Sequence, residues 1–338
     1  MAMTDELLFG ATVTKVVTAA AELNLADLLA GGPQSSADLA QHTSTDQPSL
    51  YRLLRTLAGL GLVQQTAPDE FELTERGATL RSDTDDSIHA LATMLWGKEA
   101  WVSWGELVAA VRTGEAGWSQ AYGMSWIDFY SRHQEASATF NKAMSQHSRD
   151  AAPGLIEAVR PARFTTVLDV GGGDGTLIAE MLHAEPGLHG IVFDLPSGLD
   201  EAAASLEARG VIDRCRLYPG DFFEAIPHDA DAYLLKQILH DWDDEAAVRI
   251  LSNCRAAMSP TARILILERM LPEVVSPEDM PTLLIDMHML VVTGGRERTE
   301  EEFRGLLEKA GLTMTAVSKA LPPYGYHVIE AAPSQDVY

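Results

Sequence analysis

The run Val167-Leu168-Asp169-Val170-Gly171-Gly172-Gly173-Asp174-Gly175-Thr176-Leu177 constrains the fold more than any other stretch of the chain. A short apolar segment meeting four glycines in five positions reads as a buried strand that breaks into a turn and opens a helix. Glycines let the backbone adopt positive φ and approach a bound group closely, and the free amides at the helix start face that group. The run predicts a nucleotide-cofactor cradle at the end of a strand in a doubly wound α/β sheet.

Which nucleotide is a matter of spacing. The dinucleotide fingerprint needs glycines at the first, third and sixth positions of G-x-G-x-x-G, and counting from Gly171 the sixth is Thr176. S-adenosylmethionine asks for a carboxylate near its α-ammonium, a glycine turn beside its methionine portion and an acid for its ribose hydroxyls. Asp169 at the strand end, and Asp194 after the apolar run Gly190-Ile191-Val192-Phe193, supply both acids. An acid after the second strand also occurs in NAD proteins, so Asp194 alone does not separate the two.

From Thr166 onward strands and helices alternate, which predicts a mostly parallel sheet covered on both faces. The predicted strands are 167–170, 190–193, 215–218, 232–235, 263–268 and 326–331. Ligands on such sheets bind beyond the carboxyl ends of the strands. That rule singles out Asp169, Asp194, Gly220-Asp221-Phe222, the stretch Lys236 to Asp244, and Glu268.

The first hundred residues have helical period. Ser35-Ser36-Ala37-Asp38 caps one short helix, and Asp46-Gln47-Pro48-Ser49 opens another that carries Leu50, Leu53, Leu54, Leu57 and Leu60. Leu62–Gln65 and Glu70–Leu73 around Ala67-Pro68-Asp69 form a hairpin, which completes a winged helix. Two domains follow: 1–105, a helical winged-helix domain, and 106–338, a helical connector to about residue 160 followed by the α/β domain. Trp96, Trp101, Trp104, Trp118, Trp126, Phe129 and Tyr130 make the connector aromatic, and Phe140 and Met144 are its candidates for an apolar ligand wall.

Charge decides how the winged helix is read. The second helix offers only Arg52 and Arg55, while Asp69, Glu70, Glu72 and Glu75 crowd the wing, and the whole chain carries a formal charge of -24. Such a surface repels phosphate backbones and anionic membranes. Apolar Leu7, Leu8, Val13 and Val17 on the leading helix fit a subunit interface instead, which predicts a homodimer. No apolar run is long enough to span a bilayer and no basic leader opens the chain, so a cytoplasmic protein is expected. Cys215 and Cys254 form no CxxC or Cys/His cluster, so neither a disulfide nor a metal is expected.

Leu234-Leu235-Lys236-Gln237-Ile238-Leu239-His240-Asp241-Trp242-Asp243-Asp244 holds the best candidate for chemistry. It follows a strand, so His240 can project toward the reactive end of a bound cofactor, and imidazole accepts a proton near neutrality. A phenol attacks a sulfonium methyl well only after losing its proton, whereas the departing thioether needs no acid. One base and good alignment are therefore sufficient. A carboxylate beside the imidazole would fix its tautomer, and Glu268 and Glu297 are placed to supply it.

Five segments, taken in order, carry a family resemblance: Leu168–Gly175, Phe193-Asp194-Leu195-Pro196, Gly220-Asp221-Phe222-Phe223, His240-Asp241-Trp242-Asp243-Asp244 and Gly294-Gly295-Arg296-Glu297-Arg298-Thr299. Together they resemble the plant-type small-molecule O-methyltransferases, which include caffeic acid and hydroxyindole O-methyltransferases and bacterial natural-product enzymes. The resemblance implies a Rossmann-like class I methyltransferase domain behind a winged-helix dimerisation domain, with S-adenosyl-L-methionine as cofactor and a hydroxylated aromatic or polyketide-type metabolite as acceptor. It implies that Asp169, Gly171 and Gly173 hold the methionine portion, Asp194 and Leu195 the ribose, and Gly220, Asp221 and Phe222 the adenine. Lys236 and Gln237 complete the cofactor wall. His240 would be the base, oriented by Glu268 and Glu297, and Phe140, Met144, Asp241, His288 and Met289 would contact the acceptor.

Overall fold

The structure, a computed structural model, describes residues 3–84 and 86–334. The chain divides into two compact units: one runs to Trp101 and includes Glu135–Gln146, and the other comprises Val102–Gln134 and the chain from His147 onward.

In the first unit the helix Met3–Glu22 is followed by Leu25–Leu29, the break falling at Asn24 in a left-handed conformation. Ser35 caps the helix Ser36–Thr43 by accepting the Asp38 amide, and Asp46 caps Gln47–Gly59 by accepting that of Ser49. Strands β1 (Gln34–Ser35), β2 (Val63–Ala67) and β3 (Glu70–Leu73) form an antiparallel sheet in the order β1-β3-β2. Leu25, Leu29, Leu39, Leu54, Leu57 and Phe71 close its core. The predicted winged helix is present, with β1 added by the pairing of Gln34 with Phe71. On the leading helix Leu7, Leu8 and Val13 are exposed, but Val17 packs against the core, one helical turn nearer the domain than expected.

The second unit is built on seven strands: β4 (Thr166–Val170), β5 (His189–Asp194), β6 (Cys215–Pro219), β7 (Ala232–Lys236), β8 (Arg263–Glu268), and, after the short parallel pair β9 (Met270–Leu271) and β10 (Arg298–Thr299), the strands β11 (Leu312–Val317) and β12 (His327–Pro333). The large sheet runs β11-β12-β8-β7-β4-β5-β6; all its strands run in one direction save β12, which lies antiparallel between β8 and β11. The chain steps outward from β4 through β5 to β6, then returns to the other side of β4 with β7. That reversal opens a crevice at the carboxyl ends of β4 and β7, where Asp169 lies level with Leu234.

Successive strand residues alternate between two apolar cores. Leu168, Val170, Ile191, Phe193, Tyr233, Leu235, Ile264 and Ile266 face one, with Cys254 of the helix Asp244–Ala257. Val167, Val192, Leu234, Leu265 and Leu267 face the other, with the helix Thr176–Ala184. Burial on both faces is why these strands read as unbroken apolar runs. The sequence reading omitted β11. This edge strand buries mainly Leu312 and is interrupted by a bulge between Met314 and Ala316, so Leu-Thr-Met-Thr-Ala-Val shows little of the pattern that marks the inner strands.

Among the described residues no helix is long and apolar enough to cross a membrane. Leu265 is fully buried at the centre of the second core. Replacing it with alanine is expected to cost ~2–5 kcal/mol, read as a fall in the urea midpoint of the α/β unit. A cost below ~1 kcal/mol would contradict a core closed on both sides of β8.

Candidate functional site

The turn after β4 is held by its neighbours. Gly171 has φ +73° and its amide donates to the Phe193 carbonyl at 2.8 Å; a β-carbon there would lie 2.5 Å from Cδ1 of Ile238. Gly173 has φ +55°, and a β-carbon on it would meet no atom within 4 Å, so the outer side of the turn is bare backbone. Its amide donates to Oδ2 of Asp194 at 2.9 Å, and the Leu195 amide donates to Oδ1 at 2.7 Å. Burial pushes the Asp194 carboxyl up, against the pull of these two amides.

Asp169 is buried at the floor of the turn. Desolvation pushes its carboxyl up to about 7, with the Lys236 ammonium pulling down and Asp194 and Asp174 pushing up. Lys236 feels the converse: burial lowers it to about 8 although Asp169 and Glu268 favour its charge. Its Nζ donates to Oε1 of Gln237 at 3.0 Å, and Gln237 takes a left-handed φ of 53° while its amide donates to the Leu267 carbonyl. Beyond β6, Gly220 donates to the Asp194 carbonyl, Asp221 accepts the Phe223 amide at 2.7 Å, and Phe222 meets Phe223 and Trp242 edge to face. These ten expected cofactor residues all lie on the carboxyl rim of β4 to β7.

His240 sits on the short turn Leu239–Asp241 and is buried. Its Nδ1 lies 3.0 Å from Oε1 of Glu297 and 3.6 Å from Oε2 of Glu268, while Nε2 is 3.8 Å from Oδ1 of Asp241. Glu268 also accepts the amides of Leu239 and His240 through Oε1, at 2.9 and 3.4 Å. Both glutamates are buried, and each retains an Oε2 without a hydrogen-bond partner. Burial alone would lower His240, but Glu268, Glu297 and Asp241 overcome it and raise the imidazole to about 9. Burial lifts Glu268 to about 7 and Asp241 to about 6, each opposed by the His240 charge. With carboxylates on the Nδ1 side, the ring proton resides on Nδ1, and the neutral ring presents a lone pair at Nε2. His240, Glu268 and Glu297 each offer an atom of metal-ligating type, and these atoms lie within 4.8 Å of one another, close enough that the trio could also hold an ion.

The helix Met280–Val292 carries His288 and Met289, both buried. Trp104 Nε1 approaches His288 Nδ1 at 3.2 Å. An indole N–H only donates, so Nδ1 accepts and the neutral ring carries its proton on Nε2. Burial, aided by the His240 charge, lowers His288 to about 4 and keeps it neutral. Oδ1 of Asp286 accepts the Glu297 amide at 2.8 Å and ties this helix to the triad. Phe140 and Met144 belong to the first unit, in the part of the helix Gln134–Val159 that precedes His147.

Sequence reasoning missed two groups on this rim. Tyr326, immediately before β12, brings its hydroxyl within 3.0 Å of the buried His147 ring, and burial with the nearby Lys236 and Arg269 charges holds His147 well below its ordinary value. Nothing in the local pattern of either residue signals this pairing, because β12 reaches the rim only by running antiparallel to β8. Arg298 lies inside the quoted Gly294–Thr299 motif but had received no role. A cavity of about 660 Å³ elsewhere, lined by Arg160, Arg163, Lys319 and Glu330 among others, contains none of the expected residues.

Residues 104–313 match the profile of the O-methyltransferase domain, and residues 5–83 that of the O-methyltransferase dimerisation domain. The chain is 37% identical to phenazine O-methyltransferase PhzM of Lysobacter antibioticus, over 97% of this chain and 95% of that protein. It is 39% identical to the O-demethylpuromycin-O-methyltransferase of Streptomyces alboniger, over 97% and 88%. A crystal structure of an O-methyltransferase from neocarzinostatin biosynthesis, NcsB1, in complex with S-adenosylmethionine and 2-hydroxy-5-methyl naphthoic acid, superposes with a TM-score of 0.84 at 30% identity, covering 96% of each chain. The chain belongs to the O-methyltransferase family: it is an S-adenosylmethionine-dependent O-methyltransferase with a class I catalytic domain and the family's dimerisation domain.

Proposed function

We propose that this enzyme methylates a hydroxyl of a small aromatic or polyketide-type metabolite, and that His240 removes the hydroxyl proton. The observation that carries the reading is the one-sided environment of the imidazole: Glu297 and Glu268 lie against Nδ1, leaving Nε2 to accept a proton. Asp241, 3.8 Å from Nε2, borders the same side and is assigned to the acceptor.

The cofactor assignments rest on fit. The Asp169 carboxyl, raised to about 7 by burial, is suited to an ammonium group that would relieve it. Gly171 and Gly173 leave bare backbone beside it for the methionine portion. Asp194 has each oxygen oriented by one amide, with lone pairs remaining for a ribose diol, and Leu195 adjoins it. Gly220, Asp221 and Phe222 are assigned to the adenine, and Lys236 and Gln237 to the remaining wall. When bound, S-adenosylmethionine supplies an electrophilic methyl group whose thioether leaving group needs no general acid.

The chain's own work is then proton management. Glu297 and Glu268 hold the imidazole in one tautomer and stabilise the cation that forms when Nε2 takes the hydroxyl proton. His288, neutral with its proton on Nε2, suits donation to an uncharged oxygen of the acceptor. Met289, Phe140 and Met144 are assigned to the acceptor's apolar faces on the family resemblance. A cytoplasmic location accords with two buried cysteines, both unpaired.

Replacing His240 with alanine should lower turnover by ~10²-fold or more and leave the affinity for S-adenosylhomocysteine unchanged by calorimetry. Turnover near that of the parent enzyme would remove the base assignment. Because the imidazole must be neutral to accept a proton and its carboxylate neighbours raise it to about 9, kcat/KM should climb from pH 7 and level off above about pH 9. A profile flat across that window is incompatible with this base.

Asp194→Ala should weaken S-adenosylhomocysteine binding, measured by calorimetry, with little effect on the fold as read by circular dichroism; unaltered affinity would place the ribose elsewhere. Dialysis against a chelator should leave turnover intact if a proton is what His240, Glu268 and Glu297 share. Loss of activity restored by a divalent cation would reassign the triad as metal ligands.

A further inference from the structure

Arg298 is fully buried, yet its guanidinium reaches three acceptors on the segment that carries His240. One terminal nitrogen, Nη1, donates to the Leu239 carbonyl at 2.8 Å, Nη2 to the Trp242 carbonyl at 2.7 Å, and Nε to Oδ1 of Asp244 at 3.0 Å. The two carbonyls belong to the residues on either side of His240-Asp241, so a single rigid group spans both ends of the turn. A lysine could not do this, since its charge is a point on a flexible stem and not a planar fork.

The neighbours of Arg298 grip the same turn. The Arg296 amide donates to the His240 carbonyl at 2.8 Å, and Glu297 receives the imidazole at 3.0 Å. Gly295 lies so close beneath that a β-carbon on it would fall 2.0 Å from the His240 carbonyl oxygen. Arg298 is itself anchored as the β10 residue paired with Met270, two residues beyond Glu268. Three successive residues of one segment therefore hold the backbone and the ring of His240 from one side, while Glu268 holds its amides from the other.

We propose that Arg298 is the positioning residue of this enzyme: by clamping the Leu239 and Trp242 carbonyls it fixes the place and orientation of His240 against the acceptor. The proposal rests on His240 acting as the base. Its geometry is what that role demands, because a displacement of about 1 Å in a reacting group is worth ~10²-fold in rate.

The test compares Arg298→Met, Arg298→Lys and His240→Ala with the double variant carrying His240→Ala and Arg298→Met, activity being expressed per folded molecule. Arg298→Met should lose ~10²-fold in kcat with the KM for S-adenosylmethionine within ~3-fold of the parent, and Arg298→Lys should fall between the two. The pH–rate inflection of Arg298→Met should move to lower pH, because an imidazole out of register with Glu268 and Glu297 loses their support. In the His240→Ala background, Arg298→Met should cost nothing further.

Parent-like kcat in Arg298→Met, or an unshifted inflection, or an equal loss in the His240→Ala background, would each overturn the proposal. Should Arg298→Met fail to fold, Arg298→Lys and Asp244→Asn, which removes the guanidinium's carboxylate partner, carry the same comparison. An active His240→Ala enzyme refutes the base reading itself, whatever Arg298 does.

Discussion

Two carboxylates and an imidazole are buried together at the carboxyl rim, and much of the surrounding structure is arranged to make that tolerable. An ionised carboxylate buried without partners neutralises itself by shifting its pKa. Here the compensation is distributed. Glu268 Oε1 takes two backbone amides, Glu297 Oε1 takes the ring, and the remaining oxygen of each glutamate has no hydrogen-bond partner. The result is a site that holds positive charge on His240 strongly and favours whatever places a proton there. Burial, with neighbouring carboxylates adding to it, raises Asp241 and Glu268 while the His240 charge opposes both, so these three groups respond to one another's charge.

The cofactor side obeys a different constraint, close approach of backbone. Gly171 cannot carry a side chain because Ile238 already fills the space, and Gly220 cannot because the Phe193 ring lies 2.5 Å from where its β-carbon would be. Both contacts come from core residues, Phe193 belonging to the apolar face that also holds Leu168 and Val170. The glycine turn after β4 is thus shaped by packing beneath it, while Gly173, at its outer edge, is limited by φ alone. A substitution that moves Phe193 in the core under β5 would be felt directly at Gly220, which packs against its ring.

Much of this was legible in the sequence, for reasons that can be named. Inner strands such as Ile191–Phe193 and Ile264–Leu267 are buried on both faces and advertise themselves as apolar runs, and helix starts such as Ser35 and Asp46 declare themselves through their capping oxygens. Parallel order then places their carboxyl ends, and with them Asp169, Asp194, Lys236 and Glu268, on one rim. What the sequence concealed were contacts that depend on tertiary closure. Strand β11 is half-exposed and bulged, Tyr326 meets His147 across 179 positions, and Trp104 meets His288 across 184. No periodicity encodes such pairs; they follow from where an antiparallel strand or a distant helix comes to rest.

His288 illustrates what that hidden layer adds. The residue alone offers two tautomers and a charge, three different partners for an acceptor. Trp104, which can only donate, removes one tautomer, and burial beside a cationic His240 removes the charge. What is left is a single neutral donor. Because the charge on His240 adds to burial in keeping His288 neutral, the two rings are electrostatically linked: each change in the charge of His240 alters the cost of charging its neighbour.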